Sequence, residues 1–129
     1  MIAIDTNLLV RFLTRDERLQ HGKAEEIIRS DSIFIPTTVL LETEWVLRFS
    51  YGYPPDSIID SFRKLLGLAN VTTTDPDLVA QAIDWHGRGL DFADALHLAA
   101  SRGCDQFVTF DAAFVRKAKG LSKCQVRKP

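Results

Sequence analysis

The sequence predicts a single α/β domain over residues 1–129, with a mainly parallel central sheet of four to five strands flanked by helices on both faces. Two observations support this fold class. Short apolar runs alternate with amphipathic stretches of helical period, which is the pattern of strands joined by crossover helices. In addition, 129 residues is the length of one domain, and the chain shows no internal repeat, linker or low-complexity segment.

The strands and helices follow from periodicity, β-branched runs and helix-starting residues. Strands are predicted at 2–4, 32–35, 71–73 and 107–110, with a further edge strand at 123–127. Helices are predicted at 5–13, 17–30, 37–50, 56–66, 76–86, 92–100 and 111–119. The run at 107–110 is β-branched and aromatic, which indicates a buried strand that ends directly before Asp111.

Composition points to an ordinary globular protein. Hydrophobic residues make up 46% of the chain and charged residues 26%. No apolar run approaches the roughly 20 residues of a membrane span, and the N-terminus lacks the features of a signal peptide. We therefore expect a cytoplasmic protein with no membrane contact, in which Cys104 and Cys124 are buried, reduced thiols.

Positive charge is distributed unevenly, although the net charge is only −1. Residues 102–129 carry seven Lys and Arg against two Asp, whereas residues 1–101 carry nine against fifteen Asp and Glu. Two groups of cations could flank a phosphate backbone. The first is a ridge of Arg11, Arg15 and Arg18, if the first helix extends that far, and the second is Arg116, Lys117 and Lys119. A solvated helix face is an equally good interpretation of the second group, and a surface salt-bridge face is the better interpretation of the first.

Acidic residues stand where strands end and helices begin. Asp5 follows the first strand, and Asp111 follows the strand at 107–110. Asp91 and Asp94 lie three residues apart at the start of one helix. Open α/β sheets place their chemistry at such edges, so these acids are expected to meet in one crevice. A simple N-cap is the less favoured alternative for Asp5, because the same Asp can cap a helix and hold a metal.

Two glutamates lie on the helix at 37–50, which is apolar nearly all round and is therefore expected to be buried. Glu44 has Arg48 four residues later, so a structural ion pair is predicted for it. Glu42 has only apolar neighbours on its helix face. Because a buried unpaired carboxylate is costly, Glu42 is predicted to find a cation elsewhere and to be a metal ligand.

Converging carboxylates without local cations repel one another, and a hard divalent cation relieves that repulsion. Mg²⁺ and Mn²⁺ prefer such oxygen ligands and commonly accompany phosphate substrates, which suits phosphodiester hydrolysis. Zinc is disfavoured because the three histidines are scattered; His97 is expected to be packed or to support a ligand. The sequence contains no G-x-S-x-G, Walker A or G-x-G-x-x-G motif.

Four motifs together resemble the PIN-domain ribonucleases, and among them the VapC toxins of VapBC toxin–antitoxin pairs. They are Asp5-Thr6-Asn7 after the first strand, LLETEWVL around Glu42, DFADALHLA, and VTFDAAF. The resemblance implies a Mg²⁺- or Mn²⁺-dependent endoribonuclease that leaves 5′-phosphate and 3′-hydroxyl ends. It also implies a homodimer inhibited by a small antitoxin protein. The implied site comprises four acids, Asp5, Glu42, Asp94 and Asp111, with Asp91 as an accessory acid and Asn7 and Thr109 as polar positions.

Three other classes fit the sequence less well than a nuclease. A phosphatase of the haloacid dehalogenase type needs a second Asp two residues after the first, where this chain has Asn7. A response-regulator receiver needs a Lys at the end of a late strand, where this chain has Asp111. A non-catalytic PIN scaffold would be expected to lose acids.

Overall fold

The computed structural model describes all 129 residues as alternating strands and helices. The strands are β1 (Ile2–Ala3), β2 (Ile33–Ile35), β3 (Val71–Thr73), β4 (Gln106–Val108) and β5 (Gln125–Arg127). The helices are α1 (Thr6–Thr14), α2 (Arg18–Ser30), α3 (Thr37–Phe49), α4 (Pro55–Leu66), α5 (Pro76–Gly87), α6 (Phe92–Ala100) and α7 (Ala112–Ala118). The α/β class predicted from the sequence is confirmed. None of the seven helices combines the length and the hydrophobicity that crossing a membrane requires.

The chain forms two compact units, Met1–Pro76 and Asp77–Pro129. In the first unit, β1, β2 and β3 are hydrogen-bonded in that order as a parallel sheet. Ile33 at the centre of this sheet pairs with Ile2 on one side and Val71 on the other. Ile33 and Ile35 are fully buried, as parallel strands covered by helices should be. Helix α1 packs on α2 and α3.

In the second unit, β4 and β5 form a parallel pair in which Phe107 lies opposite Val126. Helices α5, α6 and α7 supply most of its buried side chains, among them Val79, Phe92 and Phe114. The five strands are thus hydrogen-bonded as a set of three and a set of two, all parallel. The parallel pairing is confirmed. The single domain over residues 1–129 stays a prediction.

Strand β4 is shorter and more exposed than expected. It ends at Val108, which is 50% exposed, and Phe110 beyond it is 87% exposed. The expectation of a buried strand reaching Phe110 was therefore wrong. The cause is local: the Asp111 amide donates to the Thr109 hydroxyl at 3.1 Å, and Asp111 then caps α7. Residues 109–111 consequently form a connection between strand and helix.

The two cysteines differ in environment. Cys124 is buried and reduced as expected, and burial raises the pKa of its thiol, with Cys104 and Asp105 adding to the shift. Cys104 is also reduced but is exposed, so the expectation of burial was wrong for it. It lies in the segment between α6 and β4, where nothing in the unit covers it.

Candidate active site

Asp5 is placed by the end of β1 and the start of α1. It has extended backbone angles, and its Oδ1 accepts a hydrogen bond from the Leu8 amide at 2.9 Å. This is the N-cap interaction that the sequence suggested. The cap engages one carboxylate oxygen, and the side chain is exposed, so the second oxygen is available to a ligand.

Glu42 is brought to the start of α1 by helix α3. One of its carboxylate oxygens accepts a hydrogen bond from the hydroxyl of Thr6, the residue after Asp5. Thr6 therefore orients Glu42, a role that was not predicted because the two residues are 36 positions apart. The only available signal was the position of Thr6 inside the Asp5-Thr6-Asn7 motif.

The prediction that Glu42 is buried was wrong, because the side chain is exposed. Helix α3 is not apolar all round in its packing: Trp45 and Phe49 on it are 53% and 60% exposed. The buried glutamate is Glu44, which is 2% exposed and accepts from Arg48 Nε at 2.9 Å and Nη2 at 3.3 Å. The structural ion pair predicted for Glu44 is therefore confirmed.

The acids of the first unit open onto a groove. A cavity of about 560 Å³ is lined by Asp5, Asn7 and Glu42, and also by Arg11 and Tyr51. We call this cavity the α1–α3 groove. Asn7 is exposed beside Asp5, so its amide can contribute an oxygen ligand or orient a water there.

Three further acids lie in the second unit, each at a helix start. Asp91 caps α6 by accepting from the Asp94 amide at 3.1 Å. Asp111 caps α7 by accepting from the amides of Ala113 and Phe114 at 2.9 Å and 3.2 Å. The Thr109 hydroxyl in turn accepts a hydrogen bond from the Asp111 amide. Thr109, which was predicted only as a polar position, therefore fixes the backbone of Asp111.

Asp94 is the acid of this cluster whose pKa is shifted by its neighbours. Partial burial raises the pKa of the Asp94 carboxyl, and the charges of Asp91 and Asp111 raise it further. His97 and Lys117 oppose the shift but do not cancel it. The second unit therefore concentrates negative charge around Asp94. His97 is exposed and acts on Asp94 through its charge.

The donor set decides which metal these residues could hold. Asp5, Asn7 and Glu42 come together in the first unit, and Asp91, Asp94 and Asp111 in the second. The structure holds no group of three or more His, Cys, Asp or Glu side chains arranged to bind a metal. All the candidate ligands offer oxygen, and burial and like charges raise the pKa of Asp94, so the donor chemistry fits a hard divalent cation.

The basic residues are arranged differently from the prediction. Helix α1 ends at Thr14, Arg15 adopts a left-handed conformation (φ 58°), and Arg18 begins α2. A continuous helical ridge of Arg11, Arg15 and Arg18 is therefore ruled out, because the chain turns between the last two. Arg116, Lys117 and Lys119 are exposed on and directly after α7.

Comparisons with known proteins identify a family and solved structures that the chain resembles. No curated protein matches the chain. Among solved structures, it is similar to VapC20 of Mycobacterium tuberculosis, described as a toxin that cleaves the sarcin–ricin loop. The two chains are 24% identical, with a TM-score of 0.45, and the match covers 97% of this chain and 99% of the other. The model of the PIN domain matches residues 2–120, so the chain belongs to the PIN-domain family.

Proposed function

We propose that this protein is a divalent-metal-dependent endoribonuclease and the toxin of a type II toxin–antitoxin pair. Membership of the PIN-domain family supports the proposal, since the family match includes the predicted acids. The observation that carries it is this match over residues 2–120, which spans Asp5, Glu42, Asp94 and Asp111. Burial and the neighbouring carboxylates Asp91 and Asp111 raise the pKa of Asp94, and a bound cation would relieve that repulsion.

Asp5, Glu42, Asp94 and Asp111 are the proposed metal-binding and catalytic acids, with Asp91 as an accessory acid. When bound, Mg²⁺ or Mn²⁺ would supply charge stabilisation at the phosphate and a lower pKa for an attacking water. The chain's own groups prepare that site. Thr6 orients Glu42. Thr109 fixes the backbone of Asp111. Asn7, exposed beside Asp5, is proposed to position a ligand or a water.

RNA binding requires positive charge beside these acids. Exposed Arg116, Lys117 and Lys119 follow Asp111 on α7, and Lys117 is close enough to Asp94 to lower its pKa. We assign this cluster to the phosphate backbone of RNA. Arg15 is exposed in the turn after α1 and is a weaker candidate, because the predicted ridge around it does not form.

The partners proposed here come from the family. They are an RNA substrate, a small antitoxin protein and a second copy of the chain, all in the cytoplasm. A phosphatase or receiver is not favoured by any feature of the structure. A catalytically inactive PIN scaffold is disfavoured because all four acids are present.

Metal titration combined with RNA cleavage tests the proposal. The wild type should bind Mn²⁺ by calorimetry and cleave an RNA pool only when Mg²⁺ or Mn²⁺ is present. Asp5→Asn and Asp94→Asn should each weaken Mn²⁺ binding strongly and lower cleavage by roughly 100-fold. The matched control is Asp60→Asn, since Asp60 is an exposed carboxylate paired with Lys64. Unchanged metal affinity and cleavage in both test variants would contradict the assigned site.

A further inference from the structure

The α1–α3 groove continues well past the acids. Its volume of about 560 Å³ lies within the range of roughly 300–1,000 Å³ typical of ligand sites. Asp5 and Glu42 line it at the start of α1, where Thr6 contacts Glu42. Arg11 and Tyr51, which contact each other, line it more than one helical turn farther along α1. The groove is therefore lined by two candidate metal ligands, Asp5 and Glu42, and also by the cation of Arg11 and the hydroxyl of Tyr51.

Arg11 is held in one orientation by its neighbours. Its Nε donates to the Gln20 side chain at 2.7 Å, and its Nη1 donates to both carboxylate oxygens of Asp16 at 3.2 Å. Nη1 also lies 3.2 Å from the Tyr51 hydroxyl, which accepts from it. These contacts use Nε and one of the two terminal nitrogens, Nη1. The Nη2 donors remain for a ligand, and the side chain is 28% exposed.

Asp16 is itself fixed and stays ionised. It accepts from the Tyr51 hydroxyl at 2.5 Å and from the Thr14 hydroxyl at 2.8 Å. The hydrogen bonds from Tyr51 and Thr14 are the main causes that hold the pKa of Asp16 below its usual value, with the Arg11 charge adding to them. Tyr51, which is 40 positions from Arg11 in the sequence, thus contacts both Asp16 and Arg11. These two contacts orient the guanidinium at the groove.

We propose that Arg11 binds a phosphate of the RNA chain next to the scissile one, and that Tyr51 is the positioning residue that keeps Arg11 ready for it. This inference rests on the proposed ribonuclease function. Arg11 lies six residues after Asp5, or roughly 9 Å along the helix axis. A neighbouring phosphate of an extended single strand lies at a comparable distance, because its backbone is more stretched than the roughly 3.4 Å per nucleotide of a stacked duplex strand. Nη2 keeps two N–H donors on a charged group, and these can form charge-assisted hydrogen bonds to phosphate oxygens.

The competing explanation is that Arg11 only secures the turn between α1 and α2. In that case its loss would lower the melting temperature and leave the affinity for RNA unchanged. The two roles therefore differ in what a mutation changes, and a binding measurement separates them.

The test compares Arg11→Gln, Arg11→Lys and Tyr51→Phe with the wild type. The controls are Arg29→Gln, an exposed arginine paired with Glu25, and Tyr53→Phe, the aromatic neighbour of Tyr51. A labelled single-stranded RNA is titrated by fluorescence anisotropy over a series of salt concentrations, with Ca²⁺ as the hard cation. KM and kcat are measured in Mg²⁺, Mn²⁺ affinity by calorimetry, and folding by thermal melting.

Arg11→Gln should raise Kd and KM by about 10-fold or more, because a hydrogen bond to a charged group is lost. It should also flatten the log–log salt slope by about 0.7, the value of one phosphate contact on a single strand. Arg11→Lys should recover the slope but only part of the affinity, and Tyr51→Phe should raise KM by about 3-fold at unchanged slope. Mn²⁺ affinity and kcat should change little, and both controls should match the wild type.

Two outcomes separate this inference from the function on which it rests. A wild type that cleaves RNA, with Arg11→Gln and Tyr51→Phe equal to it in Kd, KM and salt slope, overturns the phosphate site and leaves the nuclease intact. A wild type that binds RNA through Arg11 but cleaves nothing supports the phosphate site and rejects the nuclease.

Discussion

The acids of the two units are maintained in different ways. In the first unit, Asp5 accepts from the Leu8 amide and Glu42 from the Thr6 hydroxyl, so each carboxylate has a donor from its own surroundings. In the second unit, Asp94 lies close enough to Asp91 and Asp111 for their charges to add to the effect of burial and raise its pKa. Both sets accept hydrogen bonds, but only in the second do burial and like charges outweigh the opposing charges of His97 and Lys117 at one acid, Asp94. A cation is therefore expected to affect stability chiefly through the second set.

The largest expected effect separates two glutamates on α3. Glu42→Gln should lower RNA cleavage by roughly 100-fold or more, because it removes a proposed ligand, while the fold stays intact because the side chain is exposed. Glu44→Gln should keep the kcat of the folded protein near wild type. It should reduce the free energy of unfolding by about 1–3 kcal/mol, because it breaks the hydrogen-bonded pair of a buried carboxylate with Arg48.

Cleavage rates and urea melts on both variants check this prediction. Because Arg48 is one-third exposed, water can solvate its freed guanidinium, and the loss of stability should stay below that of a fully buried pair. Equal loss of activity in Glu42→Gln and Glu44→Gln would refute the distinction between a ligand and a structural glutamate.

A smaller effect concerns stability and pH. The pKa of Asp94 is raised in the folded protein, so folding favours its protonated form. Its contribution to stability is then fully present below the unfolded pKa of 3.8 and is lost as pH rises through the folded value. Metal-free Asp94→Asn should therefore melt at a higher temperature than wild type at pH 7, and this advantage should shrink as the pH falls through the raised folded pKa of Asp94 toward 3.8.

Melting curves of both proteins in EDTA between pH 3 and pH 7 measure the effect. Asp84→Asn is a suitable control, because Asp84 is an exposed acid of the same unit paired with Arg88. Saturating Mn²⁺ should reverse the order, since only the wild type would retain the ligand. An Asp94→Asn protein that is less stable than wild type at pH 7 without metal would show that favourable contacts of the Asp94 carboxylate outweigh the repulsion in the second unit.

The smallest expected effect is on RNA binding by the second unit. Arg116→Ala combined with Lys117→Ala should weaken RNA binding at low salt and flatten the log–log salt slope by about 1–2 units. Metal affinity should change little, because neither residue offers a ligand oxygen. Anisotropy titrations across a salt series measure this, and an unaltered slope would mean that the cluster on α7 is only a solvated face.

The sequence by itself determined the features that depend on neighbours within about four residues. Helix α6 was predicted at its observed bounds, and the Glu44–Arg48 pair and the capping role considered for Asp5 followed from spacing alone. Backbone capping and i, i+4 contacts are local, so periodicity and residue type are sufficient to place them. The four PIN motifs likewise identified the family, which the family match confirmed.

Only the tertiary structure decided the features that depend on distant parts of the chain. The Thr6–Glu42 and Arg11–Tyr51 contacts join residues 36 and 40 positions apart, and no spacing rule indicates them. The exposure of Glu42, Trp45 and Phe49 was also missed, because the sequence shows that a helix is apolar but not which side its neighbours cover. Burial depends on how the elements pack against one another, and it was this packing that left Glu42 exposed and Glu44 in the core.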